Sequence, residues 1–180
     1  EEEVMAFYKH LSGYGINDIR VGESGYEGDG YSPHQNAVCN IRSWILDRNL
    51  WIRETPWRAI QKEGSKSNRG LVSEEGVPTE NYNAYKHFNE IFTPDVVPVG
   101  EITDPVDRRV YCKVFKNKRT GEDIVALWTA QTYEPSEEIY QRKITLNVPD
   151  EGKVRQISNL WAKDVVEVNS DVSKLNKAGI

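Results

Sequence analysis

The amino-acid sequence predicts a two-part chain, α/β followed by all-β, and three observations carry that prediction. Up to about residue 92, short apolar strands alternate with helical patterns. The alternation ceases at Thr93-Pro94-Asp95. Beyond that point apolar residues recur at every second position, in short runs separated by turn signals. The boundary therefore falls near residue 95 and divides the chain into segments 1–95 and 96–180.

The first element is a helix over Glu2 to Leu11, with Val4, Phe7, Tyr8 and Leu11 at i, i+3, i+4 and i+7. Acidic residues favour its N-terminal end, and Gly13 and Gly15 stop it. Asp18 to Gly22 reads as a short apolar strand that ends at Glu23, and a glycine-rich loop follows to Gly30. Ser32 then opens a helix as N-cap, with Pro33 at its first position and Gln35 completing a capping box. Ala37, Ile41, Trp44 and Ile45 line one face of that helix, which should end near Arg48. Leu50 to Trp57 reads as a strand, and a polar loop leads to Gly70-Leu71-Val72 and a Glu75-Gly76 turn. Thr79 caps the next helix, which runs to about Phe92 with Tyr82, Tyr85 and Phe88 on one side.

In the second segment Val110, Cys112 and Val114 alternate with Tyr111, Lys113 and Phe115. Ile124, Ala126 and Trp128 show the same period, as do Ile144, Leu146 and Val148. Turn signals lie at Asn117 to Gly121 and at Pro149 to Gly152. Successive short strands of this kind suggest a small antiparallel β-sandwich.

Composition narrows the function classes. A net charge of -5 lacks the concentrated basic face that phosphate binding requires, which argues against a nucleic-acid partner. No apolar run reaches the length of a membrane span. His10, His34 and His87 lie far apart without metal-ligand spacing, and Cys39 and Cys112 read as two buried thiols, so no metal or cofactor is called for. Five Trp and nine Tyr against four Phe suit surfaces that stack on sugars, and equally suit ordinary cores. Ser24 lacks the flanking pattern of a nucleophile elbow, and the Gly22 to Gly30 loop lacks the Gly-Lys ending of a phosphate loop.

Glu23 is the foremost chemical candidate. A carboxylate at the C-terminal end of a buried strand in a β/α architecture stands on the face where such folds build active sites. Held in a partly desolvated cleft, it could attack an anomeric carbon or assist proton transfer. The bland alternative is a loop cap, or an ion pair with Arg20. Glu54 is the second carboxylate: it could share the rim with Glu23, or pair with Arg53 or Arg58. Trp57, Tyr26 and Tyr31 could form a stacking platform for sugar rings, Trp57 serving equally well as a core or interface residue.

Ile19-Arg20-Val21-Gly22-Glu23-Ser24-Gly25-Tyr26 resembles the seventh strand of clan A glycoside hydrolases, an apolar strand ending in a glutamate and often followed by a small residue, Gly and an aromatic. The helix from Ser32, with Gln35 and Arg42, is similar to the one that follows that strand. Asn68-Arg69-Gly70-Leu71-Val72 with Gly76, Pro78, Tyr82 and Lys86 resembles the close of such barrels. Val125 to Thr129 and Ile144 to Pro149 resemble the β-sandwich domain appended to many of them. The eighth strand departs from the pattern, because Glu54 is more prominent there than the family's usual Trp.

The resemblance implies the end of a TIM-type β/α barrel over 1–95, followed by a β-sandwich over 96–180. It implies retaining hydrolysis of an oligo- or polysaccharide, with Glu23 as nucleophile and Trp57, Tyr26, Tyr31 and Glu54 about the substrate. The acid/base glutamate would then lie on a fourth strand upstream. A β/α stretch of this length is far short of the ~250 residues of a whole barrel, so the remaining barrel segment, in the same or another chain, is an expected partner. Enzymes of this kind act on extracellular or imported glycans, which implies a secreted or periplasmic setting. The alternative from a different class is a non-catalytic carbohydrate-binding or accessory module, in which Trp128, Tyr133 and Trp161 matter more than Glu23.

Overall fold

The structure is a computed structural model that describes residues 2–16, 18–21, 32–54, 70–73, 75–103, 110–129, 153–158 and 165–171. Three helices and seven strands occur among them: α1 (Glu2–Gly13), β1 (Arg20–Val21), α2 (Pro33–Asn49), β2 (Arg53–Glu54), α3 (Glu80–Ile91), β3 (Val96–Thr103), β4 (Val110–Asn117), β5 (Asp123–Thr129), β6 (Lys153–Ser158) and β7 (Val165–Asp171). β1 and β2 pair in parallel, β3-β4-β5 form an antiparallel sheet, and β6 and β7 form an antiparallel pair. The described residues make up neither a barrel end nor two packed sheets. The barrel-plus-sandwich reading therefore rests on the sequence.

α2 begins as its sequence requires. The Gln35 amide donates to Ser32 Oγ at 3.1 Å, and the Ser32 amide donates to Gln35 Oε1 at 2.8 Å. Two of the helix's orphan amides are thereby satisfied, with Pro33 filling a first-turn position that needs no donor. The far end differs from expectation. Leu50 and Trp51 read as the start of a strand but form the turn that closes α2, with Trp51 at φ 60 and the Ile52 amide donating to Asp47 O at 2.9 Å. β2 starts only at Arg53.

The apolar stripe of α2 becomes the core. Ala37, Ile41, Trp44 and Ile45 cluster with Ala84 of α3, Phe92, Val96 of β3, Phe115 of β4 and Ala126 of β5. A chain of aromatic contacts runs through this cluster. Trp44 meets Tyr85 at 5.3 Å and Phe88 at 5.7 Å between ring centroids, Phe88 stacks on Phe92 at 4.8 Å, and Phe92 meets Phe115 edge-on at 5.0 Å. Each fully buried aromatic of this kind contributes roughly 1.5–3 kcal/mol through removal of apolar surface from water. The core crosses residue 95, since the Pro94–Asp95 turn delivers the chain from α3 directly into β3. Tyr82 departs from its expected side and is exposed, while Tyr85 and Phe88 pack against the core.

The sheet was only partly visible in the period-two runs. β4 and β5 lie where those runs fall, and the intervening turn is closed by Asn117. Its Oδ1 accepts from the Arg119 and Thr120 amides at 3.0 and 3.2 Å, and Gly121 stands at φ 77. The helix-facing side of β4 is the one bearing Phe115, and register places Lys113 on it beside Ala126. Lys113 is only 3% exposed, and its ammonium pairs with Glu101, its neighbour across β3.

Candidate functional site

Two parallel neighbouring strands require the chain to return between them, and α2 makes that return. The N-terminus of α2 therefore lies at the end of the unit where β1 and β2 finish. The register pairs Arg20 with Arg53 and Val21 with Glu54, so Glu54 closes its strand level with the last residue of β1. Glu23 follows Val21 by two residues in the sequence and lies outside the described residues, as do Tyr26, Tyr31 and Trp57. For Glu54 the backbone is described.

The N-terminus of α3 is drawn to this same end. His34, in the first turn of α2, lies 3.1 Å from Glu80 Oε2 through its Nδ1, a contact between residues 46 apart in sequence. Further along α2, Asn40 Nδ2 donates to Asn81 Oδ1 at 3.1 Å, with both amides buried. Thr79 Oγ lies 2.7 Å from Gly70 O and 3.1 Å from Leu71 O, which anchors the Gly70-Leu71-Val72 phrase against the start of α3. The same oxygen accepts from the Tyr82 amide at 3.3 Å and so caps the helix. Gly76, at φ 76, turns the chain between Val72 and Pro78, which pair across the resulting hairpin.

Buried polar groups concentrate along α2. Gln35, Asn36, Asn40, Arg42 and Asp47 are all buried, and Asn36 Oδ1 has no hydrogen-bond partner among the described residues. At the other end of the helix Arg48 Nη2 donates to Thr93 O at 2.6 Å, tying α2 to the turn that enters β3. Burial pushes the Arg48 guanidinium below its ordinary value, although an arginine remains charged throughout the working range. Sequence reasoning missed these amides, which are not part of the apolar stripe of Ala37, Ile41, Trp44 and Ile45. The i, i+4 spacing of Asn36 and Asn40 was the available signal, because two amides one turn apart can serve a neighbouring helix.

Several of the other side chains weighed from the sequence lie among the described residues. Arg20, considered as an ion partner for Glu23, has its guanidinium 3.4 Å from Asp18 on an exposed surface. Trp128 packs against the core and stacks on Tyr111, with centroids 5.3 Å apart and planes 11° off parallel. It serves the fold at that position. Tyr133 and Trp161 lie outside the described residues. Cys39 is half-buried and Cys112 buried, neither in a disulfide, and burial raises the Cys112 thiol above its ordinary value. Among the described residues no cluster of His, Cys, Asp and Glu could hold a metal ion, and no helix is long and apolar enough to cross a membrane.

No protein-family model matches the chain, and no curated protein matches it.

Proposed function

We propose that the chain is the C-terminal part of a retaining glycoside hydrolase acting on a β-linked oligo- or polysaccharide, with Glu23 as its nucleophile. The observation that carries the reading is the phrase Ile19 to Tyr26, an apolar strand running into Glu-Ser-Gly-Tyr, followed in order by the capped helix and the Gly70-Leu71-Val72 close. The parallel pairing of β1 with β2 around α2 supports it, since a strand–helix–strand unit is the repeating element of a β/α barrel.

In this reading Glu23 attacks the anomeric carbon and forms a glycosyl ester as the bond to the leaving oxygen breaks. A glutamate on an upstream strand protonates that oxygen, then takes a proton from the water that releases the sugar with its configuration retained. Tyr26, Tyr31 and Trp57 offer faces for sugar rings, and Glu54 offers acceptors for their hydroxyls. The remaining barrel segment is the partner that completes the site.

The test is Glu23→Gln, made in the protein together with the preceding barrel strands and assayed on a panel of aryl β-glycosides. Turnover should fall by at least about a thousandfold with the fold retained. The anomer released by the unsubstituted protein, read by NMR before mutarotation, should keep the substrate's configuration. Unchanged turnover in the folded variant, or an inverted product, would remove Glu23 from this role.

A further inference from the structure

α1 and α2 each lead into one of the two neighbouring parallel strands, so the turns that close these helices stand at the strand-entry end of the β1–β2 pair. Each turn carries an exposed aromatic ring. Tyr14, after α1, is 74% exposed, and Trp51, after α2, is 58% exposed. His10, in the last turn of α1, meets the Tyr14 ring edge-on, with centroids 5.1 Å apart and planes 76° from parallel. Trp51 stands at φ 60, in the left-handed region that favours glycine. It carries two costs at once, a strained backbone and an indole left in water, and glycine would avoid both. Strain of this kind clusters where a side chain serves a ligand.

We infer that Tyr14 and Trp51 form a non-catalytic carbohydrate-binding surface that holds a neutral polysaccharide chain on the protein. The 17 residues of α2 put Trp51 about 25 Å from the helix N-terminus, and so at the far end of α2 from the candidate site. Charge and size choose the ligand. Two helix C-termini meet this end with partial negative charge, which disfavours an anion, and Arg48 in the last turn of α2 disfavours a cation. Leu50 and Ile52, on either side of Trp51, are half-buried, so the indole rises singly from its turn. A protein partner takes roughly 800 Å² of each surface, whereas a lone ring with a polar tip offers one apolar face and one donor, the size of a single sugar ring. The sugar class rests on the hydrolase reading, but the surface makes no use of Glu23.

Affinity electrophoresis of the full 180-residue chain tests it, through gels holding xylan, β-glucan, galactomannan or hydroxyethylcellulose. At least one of the four should retard the unsubstituted protein, and retardation by none overturns the inference. Trp51→Gly relaxes the backbone and so keeps the fold, yet it should lose at least about tenfold in affinity for the retarding polysaccharide. Tyr14→Ala should lose affinity as well, by a smaller factor. Unchanged retardation of both variants overturns the proposal. Self-association of the parent in sedimentation, abolished by Trp51→Gly, overturns it in favour of a second copy. In the protein joined to the preceding barrel strands, Trp51→Gly should leave turnover of aryl β-glycosides unchanged. Turnover lost in Glu23→Gln, with Trp51→Gly binding polysaccharide like the parent, would remove this inference and leave the hydrolase reading. Binding lost in Trp51→Gly, with no turnover in any form of the protein, would do the reverse.

Discussion

α1 and α2 read alike in sequence and are closed by the same hydrogen-bond pattern, yet they solve it with opposite residues. At the end of α1 the Ile16 amide donates to Leu11 O at 3.1 Å and the Gly15 amide to Ser12 O at 2.9 Å. At the end of α2 the Ile52 amide donates to Asp47 O at 2.9 Å, with the Trp51 amide 3.4 Å from Arg48 O. Both motifs need one residue in the left-handed region. α1 supplies Gly15 at φ 76, whereas α2 holds Trp51 there at φ 60. Their stripes differ just as sharply: Phe7 of α1 is 61% exposed, while Ala37, Ile41, Trp44 and Ile45 of α2 are buried. A left-handed non-glycine residue costs roughly 1–2 kcal/mol. Burying a stripe of four apolar side chains outweighs that several times over. Packing therefore lets α2 keep an unfavourable terminus, while α1 ends on a relaxed glycine and leaves Val4 and Phe7 of its stripe exposed.

The largest effect should come from cutting into the α2 stripe. Trp44→Ala removes the ring that meets both Tyr85 and Phe88 and should cost about 3–5 kcal/mol in urea unfolding. Phe7→Ala on α1 should stay within about 0.5 kcal/mol of the parent. A comparable loss at both positions would break the comparison, since it would mean that the α1 stripe is covered in solution.

Next in size is the buried amide pair. Asn40→Ala takes a donor from the buried Asn81 and should cost about 1–3 kcal/mol. The double substitution Asn40→Leu with Asn81→Leu should recover part of that loss, because an apolar pair leaves no amide unsatisfied. If the double variant is less stable than Asn40→Ala by calorimetry, the pair is bound into a larger polar network along α2.

The two helix ends give opposite signs. Trp51→Gly should stabilise the protein by about 1 kcal/mol, and Gly15→Ala should destabilise it by a similar amount, because each exchanges a relaxed left-handed residue for a strained one or the reverse. Equal signs in thermal unfolding would show that the Trp51 ring makes a contact worth more than its backbone strain.

These sizes also explain what was legible in the sequence. Caps and turns depend on two or three neighbouring residues, so Ser32 with Gln35, Thr79, Gly76 and the Asn117 to Gly121 turn could be read directly. The α2 stripe was legible because it repeats over three turns. β3 was not, because Pro98 and Gly100 interrupt its alternation, and the register shifts between them. Trp51 reads as part of a strand because an indole is a strand former by propensity, and nothing local announces a left-handed terminus on a non-glycine residue. The buried face of Lys113 was equally hidden, since a lysine in a period-two run reads as solvent-facing. The candidate site divides in the same way. The sequence order of Glu23, the capped helix and Glu54 was visible, but the approach of α3 through His34–Glu80 and Asn40–Asn81 links residues more than forty positions apart and leaves no local trace.

The smallest effect belongs to the Lys113–Glu101 pair, and it carries a pH signature. The Lys113 hydrogen bond holds the Glu101 carboxyl below its ordinary value, against an opposing push from burial, with the charges of Lys113 and Lys9 adding to the lowering. A carboxylate depressed in the folded state binds its proton more readily in the unfolded chain. Its stabilising contribution is therefore complete above the unfolded value and is lost as the pH falls through the folded one. Because Glu101 is largely exposed, solvent screening keeps that contribution below about 1 kcal/mol. Glu101→Gln should accordingly be slightly less stable than the parent at neutral pH, with the two unfolding curves converging as the pH drops from about 5 toward 3. Lys113→Met should behave differently. Removing a buried ammonium along with its partner's anchor abolishes the pH-dependent part while leaving an apolar side chain beside Phe115 and Ala126, so its neutral-pH stability should match or exceed that of Glu101→Gln. If Glu101→Gln instead kept its full deficit down to pH 3, the pair would matter through geometry on the sheet rather than through charge.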